Sequence, residues 1–157
     1  MLVLFDIDGV LADCSHRLHY LKDKNYDAFY SRKEMLNDKP IQSGIDLYNY
    51  FEDSPFNEIM LVTGRPYRTL ETTKEWLKKN GVNNGIILMR KDKDYRPSGE
   101  VKVQRIKDLL GCDYYKDFYP EGLKELTIFI DDDPDNVRAV EKEFPEITGL
   151  VFGSKRL

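Results

Sequence analysis

Apolar positions along this chain fall into short unbroken runs separated by longer stretches of helical spacing. Leu2-Val3-Leu4-Phe5, Ile59-Met60-Leu61-Val62, Ile86-Ile87-Leu88-Met89 and Leu126-Thr127-Ile128-Phe129-Ile130 are strand-length and almost free of polar alternation. Runs of that kind suit strands covered on both faces. They predict strands over 2–7, 57–62, 86–89 and 126–130, with a fifth over 147–151. The intervening spacing predicts helices near 26–36, 44–53, 67–80, 100–111 and 134–144, and a short piece near 119–124. Gly81 and Gly111 each follow a helical stretch and read as helix stops. Strands alternating with helices predict an α/β fold with a central parallel sheet and helices on both faces. At 157 residues, with no repeat, linker or low-complexity tract, a single domain over 1–157 is expected.

The polar residues of interest lie where the apolar runs stop. The first run ends in Asp6-Ile7-Asp8-Gly9, the second in Thr63-Gly64-Arg65-Pro66, the last in Asp131-Asp132-Asp133-Pro134. Open α/β sheets bind ligands at the carboxyl ends of their strands. Two carboxylates as close as Asp6 and Asp8 repel unless a cation or a shared proton lies between them. A divalent cation with hard oxygen ligands, most simply Mg2+, answers that repulsion. Thr63-Gly64 at a strand-to-helix junction suits a phosphate nest. Lys102 opens the apolar helical pattern Val101-Val103-Ile106-Leu109-Leu110. Singly, each has an ordinary explanation: an acidic turn, a surface lysine, a capped helix start with proline near N1. In order they form DxDG…T…K…DD across the chain.

That pattern resembles the haloacid dehalogenase (HAD) superfamily of phosphotransferases. The resemblance implies a HAD-like Rossmannoid three-layer sandwich and a role for each matched residue. Asp6 would be the nucleophile that forms an aspartyl-phosphate. Asp8 would be the acid/base, with its backbone carbonyl on the metal. Thr63 and Lys102 would bind phosphate, and Asp131 and Asp132 would complete the Mg2+ site with Asp6 and Asp8. The physical logic agrees: a carboxylate must approach a dianionic phosphomonoester, and Mg2+ and Lys102 neutralise the repulsion. Since Asp8 must be protonated for the first step, its pKa is expected to lie above that of Asp6.

Residues 12–43 are polar and aromatic, and sit where this superfamily inserts a cap. About 30 residues is too short for an independent cap domain, so a minimal cap is expected, a small helical flap over an open site. His16 and His19 lie three apart in it, with no third soft ligand near in sequence, and read as surface or substrate-contact residues. Arg17 lies in the flap, Arg65 beside Thr63-Gly64, and Arg90 at the end of the third run. Bidentate arginine is the usual phosphate clamp. Arg17, the Val62-Thr63-Gly64-Arg65 turn, Leu88-Met89-Arg90, Arg96 and Val101-Lys102 together resemble the 3′-phosphatase domain of phage polynucleotide kinase-phosphatase. That resemblance implies a phosphomonoester substrate at a 3′-phosphorylated nucleic-acid end, DNA or RNA, with Arg17, Gly64, Arg65 and Arg90 near it. Ser98 stands where that family carries an acidic residue four before the lysine. No GxxxxGK[ST] occurs, so no P-loop kinase half is present in the sequence.

Composition narrows the alternatives. The net charge of −4 argues against a bulk electrostatic binder of nucleic acid, not against a local basic groove. Two cysteines without a CxxC give no disulfide framework and suggest a reducing, cytoplasmic setting. No apolar run exceeds strand length, so no membrane span is expected, and Met1 to Phe5 leaves no room for a signal peptide. Nothing calls for an obligate protein partner. The second hypothesis is a phosphatase for nucleotides or other small phosphomonoesters. The third is a receiver-type signalling domain, which uses similar residues; there the acidic pair comes first in the chain, and here the order is reversed.

Overall fold

The computed structural model describes residues 1–83, 85–118 and 126–153. Its main sheet has five parallel strands in the order β5 (Ile87–Arg90), β4 (Glu58–Pro66), β1 (Leu2–Phe5), β6 (Thr127–Asp131), β7 (Ile147–Val151). Leu2-Val3-Leu4-Phe5 is central, with Val3 between Ile59 and Ile128. Both faces are covered, which is why the strands lack polar alternation. Val3, Phe5 and Leu61 pack with Ile45 and Tyr48 of α4 (Gln42–Glu52) and Trp76 and Leu77 of α5 (Leu70–Lys79). Leu4, Met60, Val62 and Phe129 pack with Ile106 and Leu109 of α6 (Ser98–Gly111) and Val137 and Val140 of α8 (Pro134–Glu143). Each such side chain contributes roughly 1.5–3 kcal/mol on burial. The result is the three-layer α/β sandwich expected.

The chain builds β4 and β5 on one side of β1, then crosses over to build β6 and β7 on the other. The crevice of such a sheet lies beyond the carboxyl end of the strand where direction reverses, here β1.

Several boundaries moved for local reasons. The strand expected over 2–7 stops at Phe5, because Leu11 and Ala12 both donate to the Ile7 carbonyl and close a tight turn. The strand expected over 57–62 runs on to Pro66, with a register shift between Thr63 and Pro66. The single helix expected over 26–36 is two, α2 (Tyr26–Phe29) and α3 (Arg32–Leu36). Ser31 is extended and its side chain accepts from the Glu34 N–H, which starts a new helix. Tyr67–Thr69 is a 3-10 turn before α5. Gly81 stops α5 at φ +79, as expected, whereas Gly111 is the last residue of α6 and has no left-handed backbone. The short helix α7 (Asp113–Phe118) was not expected, and the piece expected over 119–124 lies outside the described residues.

A second, two-stranded antiparallel sheet, β2 (Ala12–Asp13) with β3 (Lys39–Pro40), closes the base of the flap. Between these strands lie a 3-10 turn at Ser15–Arg17, α1 (His19–Lys22), α2 and α3. Among the described residues no helix is long and apolar enough to cross a membrane.

Candidate active site

Asp6 follows β1 and Asp131 ends β6, its neighbour in the sheet, so the pairing of the two strands brings their carboxylates together. Asp6 Oδ2 and Asp131 Oδ2 both accept from Lys102 Nζ, at 2.8 and 2.5 Å. Lys102 reaches them from the first turns of α6 and is buried. Oxygens of Asp6, Asp131 and Asp132 all lie within 4.8 Å of one another. Three carboxylates against one ammonium leave two negative charges in a mostly buried cluster, the donor set and charge that suit a hard divalent cation. Asp131 is held by neighbours on both of its oxygens. Its Oδ1 accepts from the Asp133 N–H at 2.9 Å, and both its oxygens accept from Asn136 Nδ2, at 3.2 and 3.1 Å. Asp6, Asp131 and Asp132 are thus the residues that could hold such a cation.

Asp8 is not part of that cluster. Its carboxylate turns to the flap side, where Arg65 Nε and Nη2 donate to Oδ2 and Oδ1 at 2.9 and 2.7 Å, and Arg17 Nη2 donates to Oδ1 at 3.0 Å. Both guanidiniums also reach Asp38, from Arg17 Nε and Nη2 at 2.7 and 2.8 Å and from Arg65 Nη2 at 2.9 Å. Arg17 further donates to the Phe29 carbonyl at 3.1 Å and stacks on the Phe29 ring. Arg17 and Arg65 are fully buried. Two arginines and two aspartates balance, as burial of charge requires. Removing one partner from such a set costs about 3–5 kcal/mol.

The order of proton affinities is the reverse of that expected from the sequence. Burial pushes Asp6 well above the ordinary carboxylate range, against the pull of Lys102, with Asp131 and Asp8 adding repulsion. Burial acts the same way on Asp8, but Arg65 and then Arg17 outweigh it and hold Asp8 below that range. The reversal comes from Arg17 and Arg65, 9 and 57 residues from Asp8 in the chain, whose pairing with it only the fold brings about. A cation bound among Asp6, Asp131 and Asp132 would oppose the rise at Asp6 and hold its carboxylate charged. Lys102 is raised, since Asp6 and Asp131 overcome the opposing effect of burial. Burial pushes the Cys14 thiol, at the edge of the cleft, up to about 12.

The phosphate nest expected at Thr63-Gly64 takes another form. Because β4 continues to Pro66, the helix begins too late to offer its N-terminus there. Thr63 is buried and its Oγ1 accepts from the Arg65 N–H at 3.2 Å, a bond that shapes the bulge. Gly64 lines the cleft; its carbonyl accepts from Arg90 Nε at 2.8 Å and more weakly from Tyr30 Oη at 3.5 Å. Arg90 Nη1 donates to the carbonyls of Asp94 and Arg96, at 2.9 and 2.7 Å. Arg90 thus braces the loop after β5 against the β4 bulge. His16 faces Glu34 and His19 bonds the His16 carbonyl, so the two do not converge on a metal.

These groups surround a cleft of about 1450 Å3 between sheet edge and flap. Asp6, Asp8, Asp132 and Lys102 lie at its walls, and Lys24, Arg68, Lys93 and Arg96 with Tyr26 and Tyr95 farther out. Acids stand among these cations: Arg68 faces Asp27 at 3.5 Å and Arg96 pairs with Asp94 at 2.7 Å, so the rim around the acidic floor is mixed in charge. Two residues were missed by sequence reasoning. Asp38 is one acid within the polar 12–43 stretch and Asn136 one polar residue after Asp131-Asp132-Asp133-Pro134, and no spacing singles out either. Only the fold shows that each faces a motif carboxylate or its partners.

A profile of the polynucleotide kinase PNKP phosphatase domain matches residues 1–118. Among solved structures, a chain of the "Pnkp1/Rnl/Hen1 RNA repair complex" is similar with a TM-score of 0.69 at 19% identity, covering 96% of this chain and 41% of that one. A chain of a second "Pnkp1/Rnl/Hen1 complex" structure gives 0.66 at 18% identity, covering 96% of this chain and 45% of that one. This chain therefore spans less than half of either neighbour, and at these identities the likeness is one of fold. No curated protein matches the chain.

Proposed function

This chain belongs to the family of the polynucleotide kinase PNKP phosphatase domain, a HAD-type phosphatase, and from that premise we propose that it removes the 3′-phosphate from nucleic-acid ends by Mg2+-dependent hydrolysis through an aspartyl-phosphate on Asp6. The observation that carries the reading is the meeting of Asp6, Asp131, Asp132 and Lys102 at the floor of an open cleft, with Asp8 two residues on. Residues 1–157 act as one catalytic unit carrying the 12–43 flap. A cytoplasmic setting suits two free cysteines.

Asp6, Asp131 and Asp132 would hold Mg2+, whose contribution when bound would be charge neutralisation for the phosphoryl oxygens. Lys102 shares that task and keeps Asp6 oriented. An Asp6 oxygen attacks phosphorus, and the bond from phosphorus to the leaving 3′-oxygen breaks. That oxygen takes its proton from Asp8. Asp8 then takes a proton from a water, which attacks the phosphorus of the aspartyl-phosphate and releases inorganic phosphate and the Asp6 carboxylate. Before substrate enters, Arg65 and Arg17 hold Asp8 charged. The phosphoryl charge arriving beside it raises its proton affinity, so Asp8 is loaded as substrate binds. Gly64 and Arg90 shape the wall that faces the phosphate, Thr63 supports that wall from behind through the Arg65 N–H, and Lys93, Tyr95 and Arg96 lie where a strand would leave the cleft.

The test compares a 3′-phosphorylated oligonucleotide with 3′- and 5′-mononucleotides at equal concentration. The oligonucleotide is expected to show the higher kcat/KM, by about tenfold for each rim contact worth roughly 1.5 kcal/mol. EDTA should abolish the activity and Mg2+ restore it. Equal or higher kcat/KM on mononucleotides would move the assignment to the small-phosphomonoester class, and full activity without metal would overturn the mechanism.

A further inference from the structure

Among the described residues three aspartates are buried: Asp6, Asp131 and Asp38. The reaction proposed above uses the first two and leaves Asp38 without a part. Asp38 belongs to the flap, just before β3, and its side chain has no exposure. Arg17 Nη2 donates to Asp38 Oδ2 at 2.8 Å and to Asp8 Oδ1 at 3.0 Å. Arg65 Nη2 donates to Asp38 Oδ2 at 2.9 Å and to Asp8 Oδ1 at 2.7 Å. Each guanidinium thus bridges the two carboxylates. Asp38 is itself fixed, since its carbonyl accepts from Trp76 Nε1 of α5 at 2.9 Å.

We propose that Asp38 is a positioning residue: it holds the Arg17 and Arg65 guanidiniums so that they present the Asp8 carboxyl to the leaving oxygen. The proposal rests on the role of Asp8 given above. Arg17 and Asp38 sit in the flap, Arg65 and Asp8 in the sheet edge. The flap therefore completes the proton donor rather than merely covering the cleft. With a neutral residue at 38, two buried guanidiniums share one carboxylate. One face of that residue also turns an N–H toward a donor, so the bidentate grip on Arg17 is lost. The arginines then re-pair on Asp8 and shift its oxygens. A misplacement of about 1 Å can cost on the order of 100-fold in rate.

The experiment uses two phosphomonoesters of similar shape, phenyl phosphate and 2,4-dinitrophenyl phosphate. The phenolate needs a proton to leave; the dinitrophenolate does not. Asp38→Asn is expected to lose on the order of 100-fold in kcat/KM on phenyl phosphate and less than about threefold on the dinitrophenyl ester, where general-acid catalysis contributes little. Asp8→Asn should show the same selectivity, more strongly. In the Asp8→Asn background, Asp38→Asn should cost no more than about twofold, because a residue acting through Asp8 has nothing further to remove. Equal losses on the two esters, or losses that multiply in the double variant, would overturn the proposal. Asp38→Glu, which keeps the charge, should recover part of the phenyl phosphate activity. If the Asn variant does not fold, Asp38→Glu is read in its place, with selective loss supporting the proposal and equal loss overturning it. If Asp8→Asn itself loses equally on both esters, the role of Asp8 falls, a failure distinct from one seen only at Asp38.

Discussion

At residue scale, Gly9 meets the tightest steric demand in the motif. Its φ is +87, and a Cβ there would lie 2.1 Å from the Asp132 carboxyl carbon. The turn from Ile7 to Ala12 needs that backbone, and the carboxylate needs that space. Gly9→Ala should cost about 1–2 kcal/mol in backbone strain and push Asp132 off its place. Isothermal titration should then show Mg2+ affinity weaker by roughly 10–100-fold, as for loss of a group that orients a ligand. Unchanged affinity would mean that Asp132 is not on the metal. The carboxylates and Lys102 were legible in the sequence because strand ends and a helix start carry them. Asp38 was not, since its partners Arg17 and Arg65 lie 21 and 27 residues away and nothing local marks the pairing.

At the scale of elements, the flap is joined to the sheet edge by charge as well as by the short β2–β3 ribbon. Asp8 is held below the ordinary carboxylate range by Arg65 and Arg17 against the effect of burial. A lowered carboxylate gives stability that is complete above its unfolded value, about pH 3.9, and lost as pH falls through the folded one. Asp6, raised in the metal-free protein, works in the opposite sense and does not add to that acid loss. Trp76 reports on the joint, being the chain's single tryptophan and bonded to Asp38. Below about pH 4 the fluorescence of Trp76 should change before the far-ultraviolet circular dichroism collapses. Coincident transitions would show that the flap is not released separately. The strands and major helices were readable because burial on both faces leaves continuous apolar runs. The flap was not readable in detail: its two-residue strands and four- to five-residue helices are set by the Asn25 and Ser31 caps and by ion pairs, not by periodicity. The bulge that carries β4 to Pro66 likewise depends on pairing with β5, which no local signal reports.

At the scale of the whole molecule, a chain of net charge −4 gathers acid at one sheet end and interleaves lysine and arginine with aspartate around the mouth of the cleft. The parallel sheet makes this possible by delivering Asp6, Gly64, Arg90 and Asp131 to the same edge from four strands. The order of motifs in the sequence is the order in which the topology visits that edge, which is why the family was readable before structure. Whether that edge performs covalent phosphoryl transfer is tested most directly by trapping the intermediate. Enzyme mixed with Mg2+ and an oligonucleotide carrying a labelled 3′-phosphate, then quenched in acid within one turnover, should hold label on a hydroxylamine-sensitive acyl phosphate. Peptide mapping should place it on Asp6, and both Asp6→Asn and EDTA should abolish it. Label on another residue, or turnover at the wild-type rate by Asp6→Asn, would contradict the account.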